Sequence, residues 1–365
     1  MPYNRRKSRV VRVGGVAIGG DHPITIQSMT TTHTADVAAT LAQVKALTDA
    51  GCEIVRLAVN NTDAVAGFAE IKRRVTNVPL VADIHFDHRL AIAAIEAGAD
   101  KIRINPGNIG GAERVSSVVA AAKSRSIPIR VGVNSGSLEL DLVDKYGGVT
   151  GEGLAESALR NVKMLEDLDF GDIVVSIKAA NIPMTLRAHE ILAPQVDYPL
   201  HIGITEAGTL YSGTIKSTAG LAAMLTQGFG DTVRISLTDD PVEEVKAARE
   251  VLKALRLRQF GPDIVSCPTC GRTEIDLISL TNEVTQRIAH ITTPMTIAIM
   301  GCAVNGPGEA KEADIGLACG KDSALLIRKG EITRKVSAND MVAVFVEAVE
   351  QLAEEMNTPL QLKPC

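Results

Sequence analysis

The sequence predicts an α/β protein of two domains, a (β/α)₈ TIM barrel over residues 1–258 and a smaller α/β domain over residues 263–365. Length is the first observation, because 365 residues suit one core of about 250 residues and a second of about 100. The second is a series of β-branched runs that alternate with amphipathic stretches, the pattern of successive βα units. The third is a break at Gly261 and Pro262, which separates this series from a segment with cysteine motifs.

Eight strand candidates precede residue 240. They are ITIQSM at 24, EIVRLAV at 53, PLVADIHF at 79, DKIRIN at 100, PIRVGVN at 128, DIVVSIK at 172, PLHIGIT at 199 and TVRISLT at 232. Four units share the punctuation DAG, EAG, DFG or GFG before the strand, and we expect its last glycine, at 51, 98, 171 and 230, to end the preceding helix in the left-handed conformation. Eight units in about 235 residues match the usual barrel, whereas a doubly wound sheet lacks its G-x-G-x-x-G here.

Within the predicted strands, polar and apolar residues alternate. In PIRVGVN, Ile129, Val131 and Val133 share one face and Arg130 lies on the other. The outer face of a parallel barrel packs against helices, so we expect the polar set to point into the barrel. That set is Arg56, Asp83, His85, Arg103, Asn105, Arg130, Asn134, Lys178, Arg234 and Ser236.

Five of these side chains are cations on five different strands, and Asp83 and Glu206 are the evident acidic partners at strand ends. Burying unpaired cations is energetically prohibitive. We therefore expect a multiply charged anion at the C-terminal face of the barrel, with arginines making forked hydrogen bonds to phosphate oxygens. The alternative is that each charge is solvated or paired with a loop carboxylate.

Charge and hydropathy patterns exclude several classes of protein. The formal net charge of -5 provides no global basic field for nucleic acid or anionic lipid. No apolar run of about 18 residues is present, and the basic N-terminus is not followed by the apolar stretch of a secretory signal. We therefore expect a cytoplasmic protein that binds neither nucleic acid nor membranes.

Six cysteines are too few and too unevenly spread for a disulfide framework in a chain of this length, which favours a metal or redox role. Besides the motif cysteines, we expect Cys52 to be a buried core thiol and the terminal Cys365 to be mobile.

The segment after residue 260 contains a cysteine pattern typical of a metal site. Cys267 and Cys270 form a C-x₂-C pair, which we expect at the N-terminus of a helix, and Cys302 follows the strand-like MTIAIM in a glycine-rich turn. Glu309 in that turn, or Cys319, is available as a fourth ligand. The lack of a histidine at finger-like spacing favours an iron–sulfur cluster, and structural zinc is the alternative.

In its inward-facing polar residues and its cysteine motifs, the chain resembles the GcpE (IspG) family in its bacterial two-domain form, the 4-hydroxy-3-methylbut-2-enyl diphosphate synthases. The resemblance covers essentially the whole chain. It is carried by IQSMT at 26, VADIHFD at 81, RINPGNIG at 103, RVGVNSGSLE at 130, VSIKA at 175, HIGITEAG at 201, GDTVRISL at 230, CPTCGR at 267 and GCAVNGPGEA at 301.

The resemblance implies an oxidoreductase of the methylerythritol phosphate route to isoprenoids. Its members convert 2-C-methyl-D-erythritol 2,4-cyclodiphosphate to the linear allylic diphosphate by two one-electron transfers and loss of water. A [4Fe–4S] cluster is implied, held by Cys267, Cys270, Cys302 and Glu309, with Glu309 giving way to substrate oxygen. The implied electron donor is flavodoxin or ferredoxin, and the implied assembly is a homodimer in which one chain's cluster domain covers the other's barrel mouth.

The resemblance also implies roles in the barrel. Asp83 and Glu206 lie near the reacting carbon, and Glu206 is the candidate proton donor. The substrate-binding set is Arg56, His85, Arg103, Asn105, Arg130, Asn134, Lys178, Arg234 and Ser236. The second domain is expected to resemble the cluster domain of sulfite and nitrite reductases. The rival hypothesis is a redox-inert barrel synthase or lyase for a phosphorylated substrate, with structural zinc in the second domain.

Overall fold

The computed structural model describes residues 3–302 and 306–358, so Cys365 lies outside the described residues. The chain divides into two compact units, residues 1–258 and 259–365. None of the helices in the described part of the chain combines the length and apolar composition that crossing a membrane requires.

The first unit begins with an antiparallel hairpin, β1 (Val11–Val13) and β2 (Val16–Ile18). Eight parallel strands follow. They are β3 (Thr25–Met29), β4 (Ile54–Ala58), β5 (Leu80–Asp83), β6 (Lys101–Ile104), β7 (Ile129–Asn134), β8 (Ile173–Lys178), β9 (His201–Ile202) and β10 (Thr232–Val233). Their order is β8-β7-β6-β5-β4-β3-β10-β9, and a parallel bridge from Val175 to Leu200 joins the two ends of the sheet. The predicted eight-stranded barrel is confirmed.

The described residues of this unit also form ten helices. They are α1 (Val37–Asp49), α2 (Thr62–Arg74), α3 (His88–Glu96), α4 (Pro106–Ile109), α5 (Ala112–Arg125), α6 (Leu140–Tyr146), α7 (Gly151–Glu166), α8 (Ile182–Leu192), α9 (Leu210–Thr226) and α10 (Pro241–Ala254). Seven of them each return the chain from one barrel strand to the next, and α10 follows the last barrel strand, β10, and packs against β3. The short helices α4 and α6 are additions in the loops that follow β6 and β7.

Local chemistry explains why these helices form where they do. In α2, the Asn61 side chain caps the N-terminus by accepting a hydrogen bond from the Ala64 amide, at 2.8 Å. Phe68 and Ile71 face the core, and the last turn carries a run of basic residues that complements the helix dipole.

The predicted glycine punctuation is correct in two of the four units. Gly51 and Gly98 directly follow the C-caps of α1 and α3 with φ of 97° and 94°, in the region that favours glycine. In the GFG unit the first glycine ends the helix instead, because Gly228, with φ of 83°, directly follows the C-cap of α9, and Gly230, with φ of 115°, lies two residues further on. The expectation for Gly171 is wrong, because Asp169 takes the left-handed conformation instead, with φ of 52°. Aspartate is among the residues that adopt this conformation at tolerable cost, so the chain turns two residues earlier.

The strands β9 and β10 are shorter than the sequence predicts. The Arg234 amide still donates to the Ile202 carbonyl at 3.0 Å, but beyond it the Leu237 amide donates to a Glu244 carboxylate oxygen, also at 3.0 Å. The Thr238 amide then donates to the Gly208 carbonyl at 2.9 Å. Arg234 and Ser236 therefore lie beyond the end of β10.

The β1–β2 hairpin covers the N-terminal end of the barrel. Val13 and Ile18 pack against Ile54 and Val81, and all four are fully buried. Ile54 and Val81 have the same strand parity as Arg56 and Asp83, so they face the lumen. The lumen thus has an apolar floor.

The second unit is a five-stranded sheet with helices on both faces. Its elements are β11 (Asp263–Ser266), α11 (Leu277–Arg287), β12 (Thr296–Met300), α12 (Gly306–Glu309), β13 (Ile315–Cys319), β14 (Ser323–Arg328), β15 (Glu331–Ser337) and α13 (Met341–Asn357). The strands lie in chain order, parallel from β11 to β13 and antiparallel from β13 to β15. Leu280 and Val284 of α11 and Phe345 of α13 share one core with the sheet. The expected α/β class is confirmed for the whole chain.

Candidate active site

The barrel lumen is polar where the strands end. Arg56, Asp83, Arg103, Asn105, Arg130 and Lys178 are all buried. Strand register pairs Asp83 with Arg103, Arg103 with Arg130, and Asn134 with Lys178. We call the five inward cations the cation ring, which consists of Arg56, Arg103, Arg130, Lys178 and Arg234.

Asp83 is the acidic centre of one side of the ring. Its carboxylate lies 3.3 Å from Arg103 Nη1 and 3.7 Å from Arg56 Nε. His85, whose side chain is half exposed, lies 3.5 Å from the same carboxylate and within 3.1 Å of Arg103. Burial works to raise the pKa of Asp83, but Arg56, His85, Arg103 and Arg130 together hold it well below its ordinary range. Asp83 is therefore a fixed anion that orients two arginines.

The other side of the ring has cations without counter-charges. Neither Arg130 nor Lys178 has a carboxylate within 4.0 Å among residues 3–302 and 306–358. Arg130 is 2% exposed, and its Nε and Nη2 atoms have no hydrogen-bond partner among the described residues. Burial, reinforced by neighbouring arginines, lowers the pKa of both groups well below the ordinary values. These donors are arranged to receive an anion.

Two glycines make room for the ring. A Cβ at Gly132 would lie 2.5 Å from Arg103 Nε, and one at Gly203 would lie 3.0 Å from Lys178 Nζ. The Gly203 Cβ would also meet the Arg234 carbonyl oxygen at 2.2 Å. Close approach of the Arg103 side chain to Gly132, and of the Lys178 side chain and the Arg234 backbone to Gly203, explains why glycine occupies both positions.

The sequence-based prediction missed Glu244, a buried acidic partner that comes from a helix. Its carboxylate lies 3.5 Å from Arg234 Nε and accepts a hydrogen bond from the Ser28 hydroxyl at 2.7 Å. The expectation of Asp83 as an acidic partner is therefore confirmed by its pairing with Arg56 and Arg103, whereas the expectation of Glu206 is wrong, because Glu244 is the second acidic partner. The detectable signal was helical periodicity, since Glu244 precedes Ala248 and Val251 of the buried face by four and seven residues.

Glu206 lies in the loop after β9, in a strained conformation. Its φ is 52°, which is uncommon outside glycine, and its side chain is exposed. It makes no ion pair with Lys178 in the described part of the chain; its carbonyl accepts from Lys216 Nζ at 3.3 Å. Non-glycine residues held at positive φ are found disproportionately at functional sites.

The remaining predicted residues lie at the rim. Asn134 and Ser236 are half-buried at the ends of their segments. Asn105 caps α4, because its side-chain oxygen accepts from the Gly107 amide at 3.2 Å. Its amide nitrogen is the part that can still donate to a ligand.

In the second unit, the motif cysteines lie at the C-terminal ends of parallel strands. Cys267 directly follows β11, and its sulfur accepts a hydrogen bond from the Gly301 amide at 3.2 Å. Cys302 follows β12, beside it in register, and is buried. A hydrogen bond from Arg272 lowers the pKa of the exposed Cys270. The expected position of the C-x₂-C pair at a helix N-terminus is wrong, because α11 begins at Leu277 and is capped by Asp276.

Arg272 interacts electrostatically with several of the candidate metal ligands. Cys270, then Cys302 and Glu309, raise its pKa. Cys319 is fully buried, and burial together with the nearby Cys267 raises its pKa to about 12. Among residues 3–302 and 306–358, no three His, Cys, Asp or Glu side chains are gathered closely enough to hold a single metal ion.

Comparison with known proteins identifies the family. Residues 8–249 match the GcpE TIM-barrel domain, and residues 263–351 match the GcpE protein C-terminal domain. The chain is 57% identical to a relative from Anoxybacillus flavithermus and 56% identical to one from Bacillus pumilus, over 96% of this chain and 96% and 95% of theirs. Both are named 4-hydroxy-3-methylbut-2-en-1-yl diphosphate synthase (flavodoxin).

A solved structure agrees at the level of fold. An N-acetylneuraminic acid synthetase from Leptospira borgpetersenii matches with a TM-score of 0.51 and 14% identity, covering 78% of this chain and 98% of that chain. The sequence and family matches are far closer, and they confirm the resemblance that the motifs carry. The chain belongs to the GcpE family of 4-hydroxy-3-methylbut-2-en-1-yl diphosphate synthases and is an enzyme of that kind.

Proposed function

We propose that the chain reduces 2-C-methyl-D-erythritol 2,4-cyclodiphosphate to (E)-4-hydroxy-3-methylbut-2-enyl diphosphate, in the non-mevalonate route to isoprenoids. The observation that carries the proposal is the pair of buried, uncompensated cations Arg130 and Lys178 at the C-terminal end of the barrel. This is the end at which TIM-barrel enzymes place their active sites. A diphosphate supplies the negative charge that this lumen lacks.

The cation ring binds and orients the two phosphate groups. Arg130 offers unpartnered Nε and Nη2 donors, and guanidinium groups match phosphate oxygens in forked geometry. Asp83 holds Arg56 and Arg103 in place, and Glu244 does the same for Arg234. In the reaction one carbon–oxygen bond to the ring phosphate breaks, so the same cations stabilise the charge that develops on the released diphosphate oxygen.

The donor set in the second unit fits a [4Fe–4S] cluster by its chemistry. Three thiols and one carboxylate come from the ends of β11 and β12 and from α12, and the Gly301 amide already donates to the Cys267 sulfur, as outer hydrogen bonds to cluster ligands do. The proposed ligands are Cys267, Cys270, Cys302 and Glu309. When bound, the cluster supplies the two electrons one at a time.

Residues in the loops above the cation ring supply the proton. The substrate hydroxyl leaves as water and must gain a proton, and Glu206 is the exposed carboxyl group on the loop after β9. Asp83 is the second proposed catalytic carboxylate; because its charge is fixed, its part is to orient cations near the reacting carbon. His85, Asn105, Asn134 and Ser236 complete the proposed substrate contacts.

The partners follow from the relatives and from the surface. The names of the relatives include the word flavodoxin, and we propose flavodoxin as the electron donor. We also propose a homodimer in which a partner chain covers the barrel mouth. It is supported by three exposed apolar side chains in the elements after β5, β7 and β9: Phe86, Leu140 and Tyr211 are 73%, 81% and 80% exposed.

Metal analysis of protein purified without oxygen tests this function against the zinc alternative. We expect about four irons and about four labile sulfides per chain, together with conversion of the cyclic diphosphate when a reductant is added. One zinc without labile sulfide, after attempted reconstitution, would leave the anion pocket in place and remove the reductive chemistry.

A further inference from the structure

A second polar layer lies below the cation ring. We call it the lower layer, and it consists of Gln27, Lys101, His201 and Thr232. Lys101 precedes Arg103 by two positions on β6, and Thr232 of β10 precedes Arg234 by two positions, so both face the lumen as these ring residues do. All four residues are at most 1% exposed. The lower layer is therefore enclosed between the cation ring and the apolar floor.

Lys101 is a buried amine without a counter-charge. In the described part of the chain its side chain has one hydrogen bond, from Nζ to the Gln27 Oε1 at 3.5 Å, and no carboxylate lies within 4.0 Å. Both ring nitrogens of His201 and the Gln27 Nε2 also lack hydrogen-bond partners within residues 3–302 and 306–358. An isolated buried ammonium group is energetically expensive, so an empty pocket favours the neutral amine.

The groups around Lys101 strengthen its preference for the neutral amine. Its pKa is lowered well below the ordinary value, first by burial and then by Arg130 and Arg56. His201 also lies in the field of Lys101, together with Lys178, Arg130 and Arg56. The charged and titratable groups that face the lumen from the surrounding strands are Arg56 of β4, Asp83 of β5, Arg103 of β6, Arg130 of β7, Lys178 of β8 and His201 of β9, with Arg234 beyond β10. Asp83 is the one anion in that set, and it is already shared by Arg56 and Arg103.

We propose that Lys101 is a further determinant of diphosphate affinity, which takes up a proton when the anion enters the cation ring and attracts it from below without contact. The inference rests on the proposed function, because a diphosphate in the ring is the charge that restores the ammonium form. Lys101 lies about 7 Å along its strand from Arg103, close enough for a charge interaction in a buried site. The proton comes from solvent, and no bond to the ligand forms.

The sign of the linkage follows directly. The bound state holds more protons than the free state, so the association constant falls as pH rises through the window in which Lys101 is neutral in the empty enzyme. The size of the effect is about tenfold in affinity, equivalent to about 1.4 kcal/mol, for one buried charge at this separation.

Calorimetry on the anaerobically purified enzyme, without reductant, tests the proposal. Titration with the cyclic diphosphate in two buffers of different ionisation enthalpy counts the protons taken up, because each phosphorus of this ligand carries one strongly acidic group and the ligand itself does not titrate near neutral pH. We expect the wild type to take up about one proton. Lys101→Met should lose this uptake and bind about tenfold more weakly, yet unfold at a higher temperature, since a buried amine with one long hydrogen bond has been replaced by an apolar chain.

Controls make each outcome decisive. Lys45→Met removes an exposed lysine paired with Asp49 and should change neither quantity. Lys101→Gln, which can pair with Gln27, replaces Lys101→Met if that variant does not fold. Equal affinity and equal uptake in wild type and variant would overturn the proposal, as would uptake that persists in Lys101→Met and disappears in His201→Asn. No binding of the cyclic diphosphate by the wild type would instead contradict the proposed function.

Discussion

Arg130→Met is the substitution that separates binding from folding most clearly. Arg130 is buried, and its Nε and Nη2 atoms lack hydrogen-bond partners in the part of the chain that the structure describes. A charge-assisted hydrogen bond contributes about 1.5–3 kcal/mol. Losing the arginine should therefore raise the activation free energy that corresponds to kcat/KM by about 2–4 kcal/mol, which lowers kcat/KM between about 30-fold and about 700-fold. Replacing a buried, uncompensated charge by an apolar side chain of similar volume should leave the free enzyme as stable or more stable, by up to about 4 kcal/mol.

Two assays on one preparation check this prediction. Steady-state kinetics with the cyclic diphosphate give kcat and KM, and denaturant unfolding of the ligand-free protein gives the free energy of unfolding. Arg125→Met, an exposed arginine in the last turn of α5, is the matched control and should change neither. The reasoning is refuted if Arg130→Met unfolds more easily while its KM and kcat/KM stay at the wild-type values.

Three further predictions address the other parts of the site. Cys302→Ser should lose bound iron and turnover while the barrel keeps its far-ultraviolet circular dichroism and its affinity for the cyclic diphosphate; full iron content in this variant would contradict the ligand assignment. Glu244→Ala should raise KM and lower kcat/KM by at least about tenfold, because Arg234 loses its orienting carboxylate, and Glu250→Gln, on the exposed face of α10, should not. Asp83 has a lowered pKa in the folded state, so the stability it contributes is complete above its unfolded-state pKa and is lost as pH falls below that value. Urea titrations at pH 3 to 6 should show the free energy of unfolding falling with pH in the wild type, and falling less steeply in Asp83→Asn.

The barrel and the inward cations were predictable because both follow from the local periodicity of polar and apolar residues. Alternation over six residues of β7 is sufficient to assign Arg130 to the lumen, and its burial confirms that assignment. The same logic applied to β6 would have found Lys101, which has the parity of Arg103. A lysine at the first position of a strand resembles a solvated strand end, and local sequence does not show that Lys101 is fully buried.

Partners that come from distant elements were not predictable in the same way. Glu244 pairs with Arg234 across a turn and a helix start, and its hydrogen bond to Ser28 joins residues 216 positions apart. Local sequence also did not reveal that Asp276 would cap α11 six residues beyond Cys270. Beyond β10, likewise, the Leu237 amide donates to the Glu244 side chain of α10.

A single-turnover titration shows directly whether the enzyme reduces the cyclic diphosphate with two electrons. The anaerobic enzyme, loaded with one equivalent of the cyclic diphosphate, is reduced with known amounts of electrons, and the linear allylic diphosphate is quantified after each addition. The account predicts one linear product for every two electrons and no product from the Cys302→Ser variant. Recovery of the cyclic diphosphate unchanged, from protein that carries its full iron and sulfide, would contradict it.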